Sequence, residues 1–254
     1  MQKINNQFYD TYGDKWYTTH NDPVALLRAQ AVVLVPWVIE NVSEYLKGEP
    51  KSLKFLDIGC GAGFLSNPLA AHGYQVSGID TSMDSLDVAK KHDFTGSVNY
   101  QYADAYHLPF EDQSFDVLVV MDFLEHIERP QDVIKEFARV LRPKGLFLFH
   151  TFNRNFKAYL LVIKFVEWFI NNTPKDMHVL DLFIKPEELK EYCESNSMKV
   201  IKIEGIMPIL SSIPIKNYFS GVVPENVIFK FSKEISVSYI GVAVKNTLFN
   251  PSIS

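Results

Sequence analysis

Apolar and polar positions along the chain switch repeatedly between two periods. The stretch from Pro23, "PVALLRAQAVVLVPWVIENVSEYL", is apolar at helical spacing with Pro36 inside it, which predicts one or two N-terminal helices. Short buried runs then take turns with amphipathic stretches. "KFLDIG" reads as a strand, "FLSNPLAAHG" as a helix closed by Gly73, "YQVSGID" as a second strand and "SMDSLDVAKKHD" as a helix capped by Ser82. "VNYQYADA" and "SFDVLVVMD" are the third and fourth strands, "QDVIKEFARVL" a helix and "GLFLFHTF" the fifth strand. Strands separated by helices imply a parallel sheet covered on both faces, a doubly wound, Rossmann-like α/β fold. "KVIKIEGI" and "ISVSYIGVAVK" add two late strands as an antiparallel edge, so the expected sheet is seven-stranded and mostly parallel. The closing "NTLFNPSIS" reads as a disordered tail.

Composition narrows this picture. With 254 residues, 47% of them hydrophobic, the chain can bury one large core, and a single domain over 1–254 is expected. Within it, 1–50 is an N-terminal helical segment, 51–152 the core, 153–190 a lid insertion and 191–254 the late strands and tail. A net charge of -5 without a Lys/Arg block argues against nucleic acid as a partner. Two cysteines, Cys60 and Cys193, supply neither a disulfide framework nor the repeated pairs of a zinc site, which fits a reducing, cytoplasmic setting. The N-terminus lacks a signal-peptide layout, and no apolar run is expected to reach the ~18 to 20 residues that span a bilayer.

The strongest chemical signal is "FLDIGCGAGFLSNPLA", from Phe55. In a parallel sheet, ligands bind beyond the carboxyl ends of the strands near the switch in strand order, which places Gly59 and Gly61 at the mouth of a site. A turn without side chains there lets backbone approach a nucleoside cofactor, and Gly63 allows tight entry into the next helix. The dinucleotide fingerprint is G-x-G-x-x-G, whereas here Asp57-x-Gly59-x-Gly61-x-Gly63 brings the third glycine one residue early, which does not spell a pyrophosphate cradle. Asp80, closing the second strand, stands where a carboxylate can accept both ribose hydroxyls of an adenosyl group. Taken alone, a glycine-rich turn is also compatible with an ordinary tight loop.

Together with "ADAYHLPFEDQSFDVLVVM", these residues resemble the class I S-adenosylmethionine-dependent methyltransferases over about residues 53–152. The resemblance makes 51–152 the cofactor-binding core, with Asp57, Gly59, Gly61, Gly63 and Asp80 at cofactor-binding positions, and implies that Asp104, with Ala105 beside it, meets the adenine. A closer resemblance extends over about residues 5–190. "MDFLEHIERP", "NRN", "PKDMH" and "FIKPEEL" are similar to the ubiquinone-biosynthesis O-methyltransferase family. It implies S-adenosylmethionine as methyl donor, with Arg28, Gly59, Asp80 and Met121 at cofactor-binding positions, and a metal held where this chain has Asp122, Glu125 and His126. The family carries Glu at the first of these places, so Asp122 is a departure.

Methyl transfer is an in-line displacement at a sulfonium methyl, and the enzyme must hold an ionised oxygen in line and exclude water. A phenol has a pKa of about 10, so a general base or a metal has to favour the phenolate. Asp122, Glu125 and His126 stand at i, i+3 and i+4, which on a helical turn shares one face and suits a divalent ion such as magnesium, manganese or zinc. The same residues also read as a helix N-terminus with favourable acids and a metal-free His. His126 and Glu125 are the candidate catalytic groups, with His178 at the end of "PKDMH"; for His150 a structural role is favoured.

Between the fifth strand and that loop, residues 156–175 are aromatic and apolar but broken by Lys157, Lys164 and Glu167. Such a helix either lies in a membrane interface, on the cytoplasmic face, or forms a lid or dimer surface. The expected function is O-methylation of a phenolic hydroxyl on a polyprenyl quinone precursor. The alternatives are a small-molecule O- or N-methyltransferase of secondary metabolism and a non-catalytic S-adenosylmethionine- or lipid-binding protein.

Overall fold

The computed structural model describes residues 6–224 and 227–247. Its strands are β1 (Lys54–Ile58), β2 (Gln75–Asp80), β3 (Asn99–Tyr102), β4 (Phe115–Met121), β5 (Leu141–Phe152), β6 (Met198–Pro208), β7 (Phe229–Ser232) and β8 (Ser238–Lys245). They form one sheet in the order β3-β2-β1-β4-β5-β8-β6-β7. The five strands from β3 to β5 are parallel, β8 runs antiparallel to both β5 and β6, and β7 runs antiparallel to β6.

The sheet therefore has eight strands among the described residues, not seven. The extra strand, "FKFS", is four residues long and only partly buried, too short to show a period. The late strands are also not a bare edge. β8 lies inside the sheet, nearly all of it buried, and β7 takes the rim. The predicted tail disorder falls mainly on 248–254, outside the described residues.

Alternation along the strands divides the core. From β4, Val117 and Val119 face a cluster with Leu34, Trp37, Val38 and Val42, while Leu118 and Val120 face one with Val133, Ile134, Phe137 and Leu189. The first cluster belongs to one helix, Val24–Tyr45, which runs through Pro36 without a break. Proline deprives Val32 of a backbone donor, and Val32 sits on the solvent face, 72% exposed, where water can serve its carbonyl. This helix also corrects the reading of apolar runs. An 18-residue window reaches a mean hydropathy of 1.4, long and apolar enough by composition to cross a membrane, yet its inner face packs on the sheet.

The helix Met83–Lys91 begins at Ser82, whose side chain accepts from Ser85 N, as predicted. Residues 156–169 form one helical segment, wound wider over Tyr159–Lys164 and capped by Asn155 at Ala158 N. Strand order reverses between β1 and β4. The loops leaving their carboxyl ends, 59–65 and 122–126, flank the crevice that results.

Candidate active site

The first of these loops is shaped from below. Asp57 is 4% exposed and accepts from Ser66 Oγ at 2.5 Å, so it ties β1 to the helix Ser66–Ala71. Its expected cofactor contact is not what the geometry offers, because Asp57 lies beneath the loop and outside the cavity. Burial, with smaller contributions from its neighbours, pushes its carboxyl up to about 7. Gly63 also supports from beneath. At φ +80° a Cβ there would stand 2.4 Å from the Tyr100 hydroxyl.

Gly59 and Gly61 line the crevice itself. Gly59 has φ +71°, and a Cβ on it would stand 2.4 Å from Phe123 Cδ2, so only glycine lets that ring lie against the loop. Asp80 fixes the turn by accepting from Gly61 N and Ser82 N, both at 2.9 Å. Two lobes open from here and share Gly59, Asp80, Phe123 and His126. One reaches Asp104 and Ala105, the expected adenine side, where Asp104 also accepts from Tyr106 N at 2.9 Å. The other runs past Met121, Cys60 and Ser85 under a roof made by Tyr9, Asp10 and Trp16.

That roof is the part sequence reasoning missed. Tyr9 O accepts from Ser82 Oγ at 3.1 Å, Tyr17 OH donates to Ala62 O at 2.9 Å, and Gly13 N donates to Asp84 at 2.6 Å. Trp16 packs over Gly61. Arg28 works through this roof and does not line the crevice. Its guanidinium donates to Trp16 O at 2.7 Å and to Thr19 O at 2.5 Å. The aromatic run Tyr9, Tyr12, Trp16, Tyr17 was the available signal.

On the far side of the second loop lies an apolar cavity walled by Leu161, Phe165, Phe169, Met177, Ile213 and Phe229, among others. It meets the crevice at Tyr9, Leu27, Asp122 and His126, which line both. Around this junction the expected trio rearranges. Asp122 does not share a helical face with Glu125 and His126. It takes a left-handed backbone, φ 52°, and only Leu124–His126 form a turn. Its carboxylate points to β5, with Oδ1 2.8 Å from His150 Nδ1, and Gln30 Nε2 lies 3.3 Å from the same nitrogen. His178 takes the vacated place. One donor atom each from Glu125, His126 and His178 lie within 4.8 Å of one another.

The electrostatics of the trio follow from burial. Glu125 is fully buried. Oε2 accepts from Thr151 Oγ1 at 2.9 Å, while Oε1 has no hydrogen-bond partner among the described residues. Desolvation, then the Asp122 charge, pushes it up to about 8. Desolvation pulls His126 down to about 4 and His178 to about 3, so both imidazoles are neutral at physiological pH. His150 moves the other way. Burial lowers it, but the Asp122 charge and hydrogen bond prevail and the net shift is upward.

Comparison with known proteins agrees with this geometry. Residues 56–149 match the family described as "Methyltransferase domain". Solved structures of similar fold include a SAM-dependent methyltransferase from Methanosarcina mazei, at 20% identity and TM-score 0.57 over 82% of this chain and 98% of that one. Magnesium protoporphyrin IX methyltransferase from Synechocystis, with bound SAH, aligns at 16% identity and TM-score 0.58 over 97% and 90%. Among curated proteins, the ubiquinone biosynthesis O-methyltransferase of Coxiella burnetii is 39% identical over 192 residues, 75% of this chain and 76% of the relative. That of Aromatoleum aromaticum is 33% identical over 203 residues, 79% and 84%. A nucleoside crevice at the switch point, a roofed lobe leading from it and an apolar cavity beyond are thus what the sequence kinship leads one to expect, and the chain belongs to the ubiquinone biosynthesis O-methyltransferase family of S-adenosylmethionine-dependent methyltransferases.

Proposed function

We propose that the chain transfers the methyl group of S-adenosylmethionine to a phenolic hydroxyl on a polyprenylated ring, a precursor of ubiquinone. The observation that carries this reading is the shared wall. Tyr9, Asp122 and His126 border both the crevice and the apolar cavity, so an oxygen in the cavity can face a methyl group in the crevice. The cavity is lined mainly by aliphatic and aromatic side chains, which suits a hydrocarbon tail over a soluble, polar acceptor. The C–O bond forms as the C–S bond breaks, giving a methyl ether, S-adenosylhomocysteine and the proton of the hydroxyl.

Glu125, His126 and His178 fit a divalent ion. Their donors converge, Glu125 Oε1 lacks a hydrogen-bond partner among the described residues, and a neutral imidazole can supply a ligating nitrogen. Two nitrogens and one carboxylate favour zinc or manganese over magnesium, which prefers oxygen ligands. When bound, the ion would lower the pKa of the acceptor hydroxyl. Without it, histidines whose own pKa values are near 4 and 3 are weak bases towards a phenol at about 10. The residues of the chain position the ring, hold its hydroxyl toward the crevice and keep water out.

The substrate would enter from a membrane on the cytoplasmic side. Trp168 is 68% exposed and Phe219 87%, on the paired helices Phe165–Phe169 and Ile215–Ser220 that flank the cavity, with Lys157 and Lys216 nearby in sequence. The experiment is calorimetric binding of S-adenosylhomocysteine, then transfer to an alkylcatechol with and without chelator. Transfer abolished by chelator and restored by zinc or manganese is the expected result. Tight binding of S-adenosylhomocysteine with no transfer to any alkylcatechol would overturn the acceptor.

A further inference from the structure

Behind the junction, β5 presents a buried imidazole that the proposed chemistry does not use. His150 is 1% exposed and lines the apolar cavity, and its Nε2 has no hydrogen-bond partner among the described residues. Leaving such a nitrogen unpaired is unfavourable, so it points to a group that arrives with a ligand. The other side of the ring is already occupied. Asp122 Oδ1 lies 2.8 Å and Gln30 Nε2 3.3 Å from Nδ1, so Nε2 is the ring nitrogen left for a ligand. Asp122 N also donates to His150 O, and Met121 pairs with His150 across β4 and β5, so the imidazole sits on two rigid strands beside the junction.

We propose that His150 Nε2 hydrogen-bonds the acceptor hydroxyl that is not methylated, so that the site selects a vicinal diphenol and decides which of its two oxygens faces the methyl donor. This rests on the reading that the apolar cavity holds a phenolic acceptor. A monophenol would leave Nε2 buried and unpaired, and a site built to bond a hydroxyl discriminates strongly against the analogue lacking it. A diphenol turned over in the cavity loses the same bond.

The test measures binding apart from turnover. With S-adenosylhomocysteine bound, 4-octylcatechol and the two octylphenols that each lack one of its hydroxyls are titrated against the wild type, His150→Leu and His150→Gln. The wild type is expected to bind the catechol about tenfold more tightly than the phenol that lacks the recognised hydroxyl. Leu should close that gap, and Gln, which keeps a hydrogen-bonding group near the Nε2 position, should reopen it. In turnover with S-adenosylmethionine, Leu should yield both monomethyl ethers where the wild type yields one. Equal binding of all three compounds by the wild type overturns the proposal whether or not the variants fold, and so does a gap that persists in His150→Leu. If the gap appears and responds to the variants but no methyl is transferred, the proposed reaction fails while the role of His150 stands.

Discussion

Replacing Asp57 with Asn isolates the burden that a buried carboxylate places on this fold. In the folded protein Asp57 moves from the ordinary 3.8 to about 7, chiefly because burial penalises its charged form. The sign is then fixed. Between those values the unfolded chain gives up its proton while the folded protein keeps it, so stability falls as pH rises, and the penalty is complete above pH 7. At about 1.4 kcal/mol per unit, the gap amounts to about 4 kcal/mol at pH 8 and vanishes near pH 4. Asn cannot ionise, and its carbonyl can still accept from Ser66 Oγ. Urea unfolding followed by tryptophan fluorescence from pH 4 to 8.5 gives both curves, and titrations common to the two proteins cancel in the difference. The variant should match the wild type at pH 4 and gain up to about 4 kcal/mol by pH 8. Parallel curves across that range would refute the reasoning and mean that Asp57 is ionised throughout or solvated.

Gly59→Ala should weaken S-adenosylhomocysteine at least tenfold by calorimetry, because a Cβ 2.4 Å from Phe123 displaces a ring that borders both lobes. Arg28→Ala should weaken it as well, with the N-terminal segment becoming sensitive to protease, because the guanidinium holds the roof at Trp16 and Thr19; intact protease resistance would place Arg28 elsewhere in the mechanism. Lys245→Met should cost about 2 kcal/mol in urea unfolding by leaving the carbonyls of Ala138 and Leu141 without the Nζ that now reaches them at 2.6 and 2.7 Å. Trp168→Ser with Phe219→Ser should abolish cosedimentation with anionic liposomes while binding of S-adenosylhomocysteine is kept; unchanged sedimentation would discard the proposed membrane contact.

Periodicity placed β1 to β5 and their helices, because these strands, apart from the largely exposed β3, are mainly buried runs bounded by turns. It also put Gly59, Gly61 and Asp80 at the carboxyl ends of strands, where they are found. Contacts between distant segments were beyond its reach. Tyr9 and Trp16 are ordinary aromatics in the sequence and become a roof only because Ser82 and Gly61 come to meet them. Asp122 leaves the expected helical face through one backbone torsion, which turns its carboxylate toward a histidine on the next strand. The place it left is filled by His178, on a loop whose return to the junction no local pattern announces. β7 escaped because its four residues are half-exposed and are held by pairing with β6.

The two cavities meet at one wall but are bordered beyond it by different parts of the chain. The crevice lies beneath residues near the N-terminus and beside exposed Asp104, whereas the apolar cavity is flanked by helices carrying Trp168 and Phe219. On the proposed reading, donor and acceptor would have separate doors, one facing water and the other facing hydrocarbon. Neither would have to leave before the other enters, which in kinetic language is a ternary complex reached by random order. A greasy product would then depart into lipid while spent cofactor is exchanged from solution.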